Sequence, residues 1–177
     1  MSKILGNNLL YVFLFSLLFA TFRIIPHPPN FTPILAIAIT GPLLMKDRVF
    51  GLTIPILSMF ISDLILGFHS FQLVIYSTLI IISIIAPMKK NYYKFFFLSI
   101  FASILFFIST NFAVWAIWDY YPKNLSGLLS CYIMAIPFFQ NTLISTVLFT
   151  LFFTYIAENI FQFNKGLVLH FYQLIKK

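Results

Sequence analysis

Long runs of apolar residues fill most of this sequence, and only short polar connections separate them. A helix needs about 20 apolar residues to cross the hydrocarbon core of a bilayer. Six apolar segments can be drawn, at about Leu5–Ile25, Pro33–Met45, Val49–Phe68, Phe71–Pro87, Phe95–Trp118 and Gly127–Ile160. Charged residues make up only 8% of the 177 positions, whereas soluble domains carry roughly a quarter. The sequence therefore predicts an all-α integral membrane protein with six transmembrane helices, in a single domain over residues 1–177.

Two of these segments depart from an ordinary span. Pro33–Met45 is short for a transmembrane helix, and the last segment is long enough for an outer amphipathic turn, Leu128–Pro137, before a helix from about Phe138. The first connection contains four prolines between residues 26 and 33. Because proline has no amide donor and restricts the residue before it, this run predicts a stiff, extended loop.

Basic residues are distributed unevenly between alternate connections. With the amino terminus in the cytoplasm, nine of the eleven Lys and Arg residues fall on the inner side and two on the outer side. The inner set is Lys3, Lys46, Arg48, Lys89, Lys90, Lys94, Lys165, Lys176 and Lys177, and the outer set is Arg23 and Lys123. Because cytoplasmic loops are enriched in Lys and Arg, the sequence predicts that both termini are cytoplasmic.

Several classes of function are disfavoured. The sequence contains no P-loop and no H-E-x-x-H, G-x-S-x-G or C-x-x-C motif, so we expect no enzymatic activity. The basic residues lie singly or in small groups and form no basic face, so no nucleic-acid partner is expected. Cys131 is the single cysteine, which excludes an intramolecular disulfide and a multi-cysteine metal site. We expect no cofactor and no metal.

Polar side chains within the apolar segments concentrate at the outer depth. Because such groups are costly in a bilayer, their positions are informative. The candidate substrate-binding residues are Arg23, His27, Asn30, Asp63, His69, Asn111, Trp115, Trp118, Gln140 and Asn141. The inner halves are mostly Phe, Leu and Ile with small hydroxyls, so we expect a cavity near the outer face, covered by the proline-rich loop, and no through-pore.

Arg23 and Asp63 are the only opposite charges in the outer halves of the first and third segments. An unpaired charge at that depth costs several kcal/mol, so we expect these two side chains to approach each other. Structural roles are the alternative for the others. Trp115 and Trp118 also suit an interfacial aromatic belt, and Asn111 and Asn141 also suit hydrogen bonds between helices.

Two stretches of the sequence resemble a known group of proteins. The first runs from Arg23 through Pro-His-Pro-Pro-Asn-Phe-Thr-Pro at 26–33 to Ser62-Asp63-Leu-Ile-Leu-Gly-Phe-His69. The second is Asn111-Phe-Ala-Val-Trp115, followed by Tyr-Pro at 121–122 and by Cys-Tyr-Ile-Met-Ala-Ile-Pro-Phe-Phe-Gln-Asn-Thr at 131–142. Together they resemble an uncharacterised bacterial family of small membrane proteins. That family is grouped with the substrate-binding S components of energy-coupling-factor transporters, and the resemblance covers roughly residues 22–149.

This resemblance implies a six-helix protein of the bacterial inner (plasma) membrane, with both termini inside. S components capture a vitamin, a related micronutrient or a metal ion beneath the loop between helices 1 and 2. A transmembrane coupling subunit and two cytoplasmic ATPases then drive uptake. Helix 1 departs from the A-x-x-x-A spacing that often docks S components to the coupling subunit, because Ala20 is isolated there.

The resulting hypothesis is a substrate-capture subunit for a small water-soluble nutrient. Arg23 would attract an anionic group or hold Asp63 in place, while amides supply hydrogen bonds and tryptophans a flat apolar wall. One rival is a structural or assembly subunit of a larger membrane complex, whose outer polar groups only join helices. Another is a membrane metalloprotein that uses Asp63, His69, His27 and Cys131, which are suitable ligand types.

Overall fold

The computed structural model describes the backbone of residues 2–68 and 70–175, and the side chains of residues 8–68 and 70–159. In this part of the chain the regular structure is helical throughout. The helices are α1 (Ser2–Ile24), α2 (Ile34–Met45), α3 (Arg48–Leu66), α4 (Gln72–Ile85), α5 (Tyr92–Ile117) and α6 (Leu125–Ile175). The six apolar segments of the sequence therefore correspond to six helices.

Three of the helices are long and apolar enough to cross a membrane by length and composition. They cover Arg48–Leu66, Tyr92–Ile117 and Leu125–Asn159. Over the residues whose side chains are described, the other three are shorter apolar helices, Asn8–Ile24, Ile34–Met45 and Gln72–Ile85. Many large apolar side chains point outward, including Phe97 on α5, which is 66% exposed. Such a surface suits lipid far better than water.

Local capping residues fix where α3 and α5 begin. Asp47 has extended backbone, and its carboxylate accepts hydrogen bonds from the amides of Val49 and Phe50 at 2.8 and 3.1 Å. Asn91 similarly accepts a hydrogen bond from the amide of Lys94 at 3.1 Å. Each cap satisfies amide groups that have no partner within the first turn. The sequence thus encodes these two helix starts locally.

The short helix α2 lies at the centre of the bundle. Each of its residues from Ile34 to Leu43 is buried, and it packs against α3, α4, α5 and α6. A helix that is apolar on every face is stable only where protein or lipid surrounds it completely. Here protein does so, which explains why a segment too short to cross a bilayer alone has a place in this fold.

The backbones of α2 and α3 come into direct contact at two glycines. A Cβ atom added to Gly41 would lie 2.5 Å from the carbonyl oxygen of Gly51. A Cβ atom added to Gly51 would lie 2.3 Å from the nitrogen of Pro42. Since no side chain fits in this space, the two glycines let the helices cross at backbone distance.

The long helix α6 corrects one prediction from the sequence. Leu128–Pro137 is not a separate amphipathic turn before a helix at Phe138, because the helix is continuous from Leu125 and Pro137 lies inside it. A proline removes one backbone donor, and apolar helices tolerate this where the flanking turns remain bonded. Pairing with α5 holds this first part in place, for example through the Tyr132 hydroxyl, which donates to the Ile108 carbonyl at 2.8 Å.

Charged side chains join helices at the end of the bundle where α2 and α4 finish. Arg48 donates from Nη1 to the Ser83 carbonyl at 2.9 Å and also to the Ile84 carbonyl, which satisfies the carboxyl end of α4. Lys90 forms an ion pair with Glu158, and the hydrogen bond between them raises the pKa of Lys90. These contacts tie α3 to α4, and the connection before α5 to α6.

Candidate functional site

A cavity of about 380 Å³ lies within the opposite end of the bundle. At this end α1, α3 and α5 finish and α2, α4 and α6 begin. Its lining comes from the end of α1, the following loop and parts of all five other helices. This volume lies within the range of pockets that bind small organic molecules. The sequence predicted a cavity at this end, and the prediction is confirmed.

The proline-rich loop between α1 and α2 folds over the cavity. Its residues His27, Asn30 and Thr32 form part of the lining. Asn30 has a positive φ of 62°, a conformation that Asn tolerates better than most residues, and it turns the loop back towards the bundle. The Asn141 side chain of α6 donates to the Pro29 carbonyl at 2.9 Å and so attaches the loop to α6. The loop therefore forms part of the cavity wall and is attached to α6.

Arg23 and Asp63 form the expected ion pair between α1 and α3. Arg23 Nη1 lies 2.6 Å from Asp63 Oδ1, and the side chains are 14% and 0% exposed, respectively. The same nitrogen donates to Ser62 Oγ and, at 3.4 Å, to the Met59 carbonyl. Arg23 lines the cavity, so one face of this pair borders the open space and the other is enclosed by protein.

The second oxygen of Asp63 is bound by α4. Gln72 Nε2 donates to Asp63 Oδ2 at 2.8 Å, and the Tyr76 hydroxyl donates to the same oxygen at 3.0 Å. Gln72 and Tyr76 are one helical turn apart, so both reach the carboxylate from one face of α4. The buried charge therefore has hydrogen bonds at both oxygens, as a stable buried carboxylate requires.

The wall formed by α5 and α6 combines hydroxyls, one amide and aromatic rings. Asn111 lines the cavity, and its Nδ2 donates to the Phe107 carbonyl at 2.8 Å. Thr110 and Thr142 also line it, and each donates its hydroxyl hydrogen to a carbonyl of its own helix. The remaining lone pairs of these side chains stay available as acceptors. The wall therefore offers scattered acceptors on an apolar surface.

Thr146 differs from the other hydroxyls of the lining. It is fully buried, and its Oγ1 has no hydrogen-bond partner among the described residues. Buried hydroxyls are normally bonded, and leaving one unpaired costs about 1–3 kcal/mol. Thr146 is also a lining residue of the cavity, so an unpaired hydroxyl belongs to the cavity wall.

Several predicted site residues lie outside the cavity lining. The Trp115 indole donates to the Pro122 carbonyl at 2.9 Å and the Trp118 indole to Ser70 Oγ at 3.3 Å, so both stabilise connections at this end of the bundle. Asn141 reaches the cavity only indirectly, through the loop. Gln140 is exposed on α6, and the prediction for His69 falls outside the described residues. Of the candidates, Arg23, His27, Asn30 and Asn111 line the cavity.

The sequence reasoning missed the buried threonines of α6, of which Thr142 and Thr146 line the cavity. Thr142, Thr146, Thr150 and Thr154 follow one another at four-residue intervals on α6 and are all buried. This spacing places them on one face of a helix. The repeat is visible in the sequence and could have identified the buried face, although not the pairing of any one hydroxyl.

The described residues contain no group of three or more His, Cys, Asp or Glu side chains that could hold a metal ion. Cys131 is buried, and its thiol donates to the Asn111 backbone carbonyl at 3.5 Å. Both oxygens of Asp63 already accept hydrogen bonds, from Arg23, Gln72 and Tyr76. His69, another ligand of the metalloprotein alternative, lies outside the described residues.

Comparison with known proteins leads to a single family. No match is found among curated proteins or among solved structures. The family model that matches covers residues 3–164, nearly the whole chain, and its description is "family of unknown function (DUF6580)". The sequence also indicated an uncharacterised family, and that expectation is confirmed. The chain belongs to the DUF6580 family.

Proposed function

We propose that this chain is a substrate-capture subunit, similar to the S components of energy-coupling-factor transporters, for uptake of a small water-soluble nutrient such as a vitamin. The observation that carries the proposal is the cavity of about 380 Å³ beneath the proline-rich loop. Ligand pockets are mostly apolar with a few convergent polar groups. Here Arg23, Asn111 and Thr146 supply the polar groups on a wall of phenylalanines.

The proposal includes an arrangement in the membrane. The chain forms one domain of six spanning helices in the bacterial plasma membrane, with both termini in the cytoplasm. The uneven distribution of Lys and Arg supports this orientation. The cavity then faces outward, where a dilute nutrient is captured. The sequence has no nucleotide-binding motif, so active transport takes its energy from another subunit or an ion gradient. By analogy with S components, the proposal assigns this role to a transmembrane coupling subunit and cytoplasmic ATPases, and it assigns no enzymatic activity to the chain itself.

A structural or assembly subunit of a larger membrane complex is the second candidate, and one observation favours it. Trp115, Trp118 and Asn141 donate their side-chain hydrogens to protein acceptors, as groups that only join helices and loops would do. The two candidates differ in whether the cavity is occupied by a specific small molecule.

Co-purification tests the capture function. The full chain is purified from its native membrane, and bound small molecules are released by denaturation and identified by mass spectrometry. We expect one compound to accompany the wild-type protein in near-stoichiometric amount. Leu66→Trp, at an exposed lining position, and Ala135→Phe, at a buried one, fill the cavity and should each remove that compound.

The matched control is Ala116→Phe, which adds the same ring at an exposed position of α5 outside the lining and should keep the compound. Circular dichroism and size-exclusion profiles establish that each variant is folded. If wild type and the folded Leu66→Trp variant release the same molecules in the same amounts, the capture function is wrong and the assembly role is favoured.

A further inference from the structure

The charge within the cavity limits which ligands it can accept. Arg23 is the charged side chain among the described residues of the lining, and Asp63 compensates it at 2.6 Å. The described part of the site therefore carries no net charge. A ligand with a net charge would bring an uncompensated ion into a low-dielectric space, which is strongly unfavourable. The balance favours an uncharged ligand.

The cavity offers both hydrogen-bond donors and hydrogen-bond acceptors. Arg23 lines the cavity and makes its hydrogen bonds to described residues through Nη1, so the N–H groups of Nη2 and Nε remain as donors for a ligand. Three buried side-chain oxygens lack partners among the described residues, those of Ser83, Thr146 and Thr150. Of these three, Thr146 lines the cavity. A ligand with a carbonyl acceptor and a second polar group would satisfy both sites.

The walls between these polar groups are aromatic. Phe71 immediately precedes α4, Phe106 and Phe107 come from α5, and Phe138 and Phe139 come from α6. Phenyl side chains pack best against flat apolar surfaces, in offset-stacked or edge-to-face contacts. The lining therefore favours a planar ring over a flexible chain or a sugar.

We propose that the cavity binds an uncharged, planar aromatic molecule with hydrogen-bonding groups for Arg23 and Thr146, of the hydroxylated aromatic amide class. This inference rests on the proposed capture function and names the chemical class of its ligand. The Thr146 hydroxyl bonds to the ligand, and the Arg23–Asp63 pair selects against ions while supplying N–H donors. The phenylalanines hold the ring.

Three probes of the same shape test the charge preference: 4-hydroxybenzamide, 4-hydroxybenzoate and 4-hydroxybenzylamine. At neutral pH they are neutral, anionic and cationic. Each is titrated against the full chain in lipid nanodiscs by ligand-observed saturation-transfer NMR, with empty nanodiscs as the blank. We expect the amide to bind at least tenfold more tightly than either ion. If the benzoate or the amine binds as tightly as the amide, the neutral-ligand inference is overturned, whereas a ligand cavity and the capture function stand.

Two variants test the hydroxyl. Thr146→Val keeps the shape and removes the oxygen, and we expect about a tenfold loss of amide affinity, which is the upper range for one neutral hydrogen bond. Thr150→Val is the matched control, because the Thr150 hydroxyl is also buried and unpaired but Thr150 lies outside the lining. The affinity of this variant for the amide should stay within twofold of wild type. Equal affinities of the Thr146 and Thr150 variants overturn the role of Thr146.

Absence of binding by all three probes also overturns the ligand class. The co-purification experiment then separates the two proposals. If a compound accompanies wild type but not Leu66→Trp, the capture function stands with a different ligand class. If no such compound is found, both the capture function and the ligand class are wrong.

Discussion

Asp63 joins three helices through one carboxylate. Its Oδ1 accepts from Arg23 of α1, and its Oδ2 accepts from Gln72 and Tyr76 of α4. Because the side chain is completely buried, the charge depends on these partners instead of on water. Removing one member of a buried pair leaves the other uncompensated, which usually costs about 3–5 kcal/mol.

We therefore expect Asp63→Asn and Arg23→Gln each to destabilise the protein by about 2–4 kcal/mol, somewhat less than a fully enclosed pair because Arg23 retains some exposure. The double variant should be more stable than the sum of the two single changes predicts, since it restores neutrality. Thermal unfolding in detergent measures all four proteins.

The control is Asp119→Asn. It makes the same chemical change in an exposed ion pair with Lys123, where the Asp119 side chain is 99% exposed, and it should have no measurable effect. A double variant whose loss equals the sum of the single losses would show that the two side chains are not energetically coupled.

The sequence predicted this pair because opposite charges are so scarce in the chain. In the sequence, each of the two residues had only the other as an oppositely charged partner at the same depth, so their contact could be predicted without a structure. The unpaired Thr146 hydroxyl was not predictable in the same way. A threonine within a helix usually bonds to a carbonyl of its own helix, as Thr142 and Thr154 do here. Which hydroxyl fails to do so depends on side-chain rotamers and packing, which the sequence does not display.

Among the elements, the crossing of α2 and α3 depends most on a small residue type. Gly41 and Gly51 bring the two backbones closer than any side chain allows. We expect Gly41→Ala and Gly51→Ala each to destabilise the fold by about 1–3 kcal/mol or more, because the methyl group forces the helices apart. Thermal unfolding measures the loss.

Ala116→Val, which enlarges an exposed side chain on α5, is the control and should change stability little. If either glycine variant were as stable as wild type, α2 and α3 could move apart without loss of stability. The close backbone contact would then not be required for the fold.

In the proposed capture function, the proline-rich loop is the element outside the helices that contacts the ligand. His27 and Asn30 line the cavity from the loop, so removing their side chains should release the bound compound faster while the protein stays folded. His27→Ala and Asn30→Gly are the suitable changes, because glycine retains the positive φ of 62° at Asn30 without strain. The measurement is retention of the co-purified compound during washing, expected to fall several-fold.

Asp119→Ala, at an exposed position of the connection before α6, should retain the compound as wild type does. Should both loop variants hold it equally well, the loop would be a structural cover and not part of the binding site.

The prolines predicted some helix boundaries correctly and others wrongly. The four in the first connection prevented a helix there, as expected. Pro137, Pro42 and Pro55 instead lie inside helices, and Pro137 led to the wrong boundary for α6. The difference is physical: a proline cluster removes several donors in succession, whereas a single proline removes one, which packing against neighbouring helices offsets. The sequence alone does not contain that packing.

For the molecule as a whole, the proposed orientation has a direct test. In a Cys131→Ser background, single cysteines are placed at Lys46, Lys89 and Asn124, all exposed positions in connections. We expect a membrane-impermeant thiol reagent to label only the cysteine at Asn124 in intact cells, because Lys-rich connections face the cytoplasm. All three should be labelled after the membrane is permeabilised.

The opposite pattern, with labelling at Lys46 and Lys89 in intact cells, would reverse the orientation. The cavity would then open to the cytoplasm, and capture of a nutrient from outside would no longer fit the fold.

The enclosure of α2 also bears on the order in which the protein is made. At about 18 Å, a 12-residue helix is shorter than the roughly 30 Å hydrocarbon layer. Its packing partners α3, α4, α5 and α6 all follow it in the chain, so they are synthesised later than α2 itself. During synthesis α2 is therefore made before the helices that bury it. Only the two residues Lys46 and Asp47 separate it from α3, the first of these partners. Its enclosure is complete only once α6 has been made, because α6 is one of the helices that bury it.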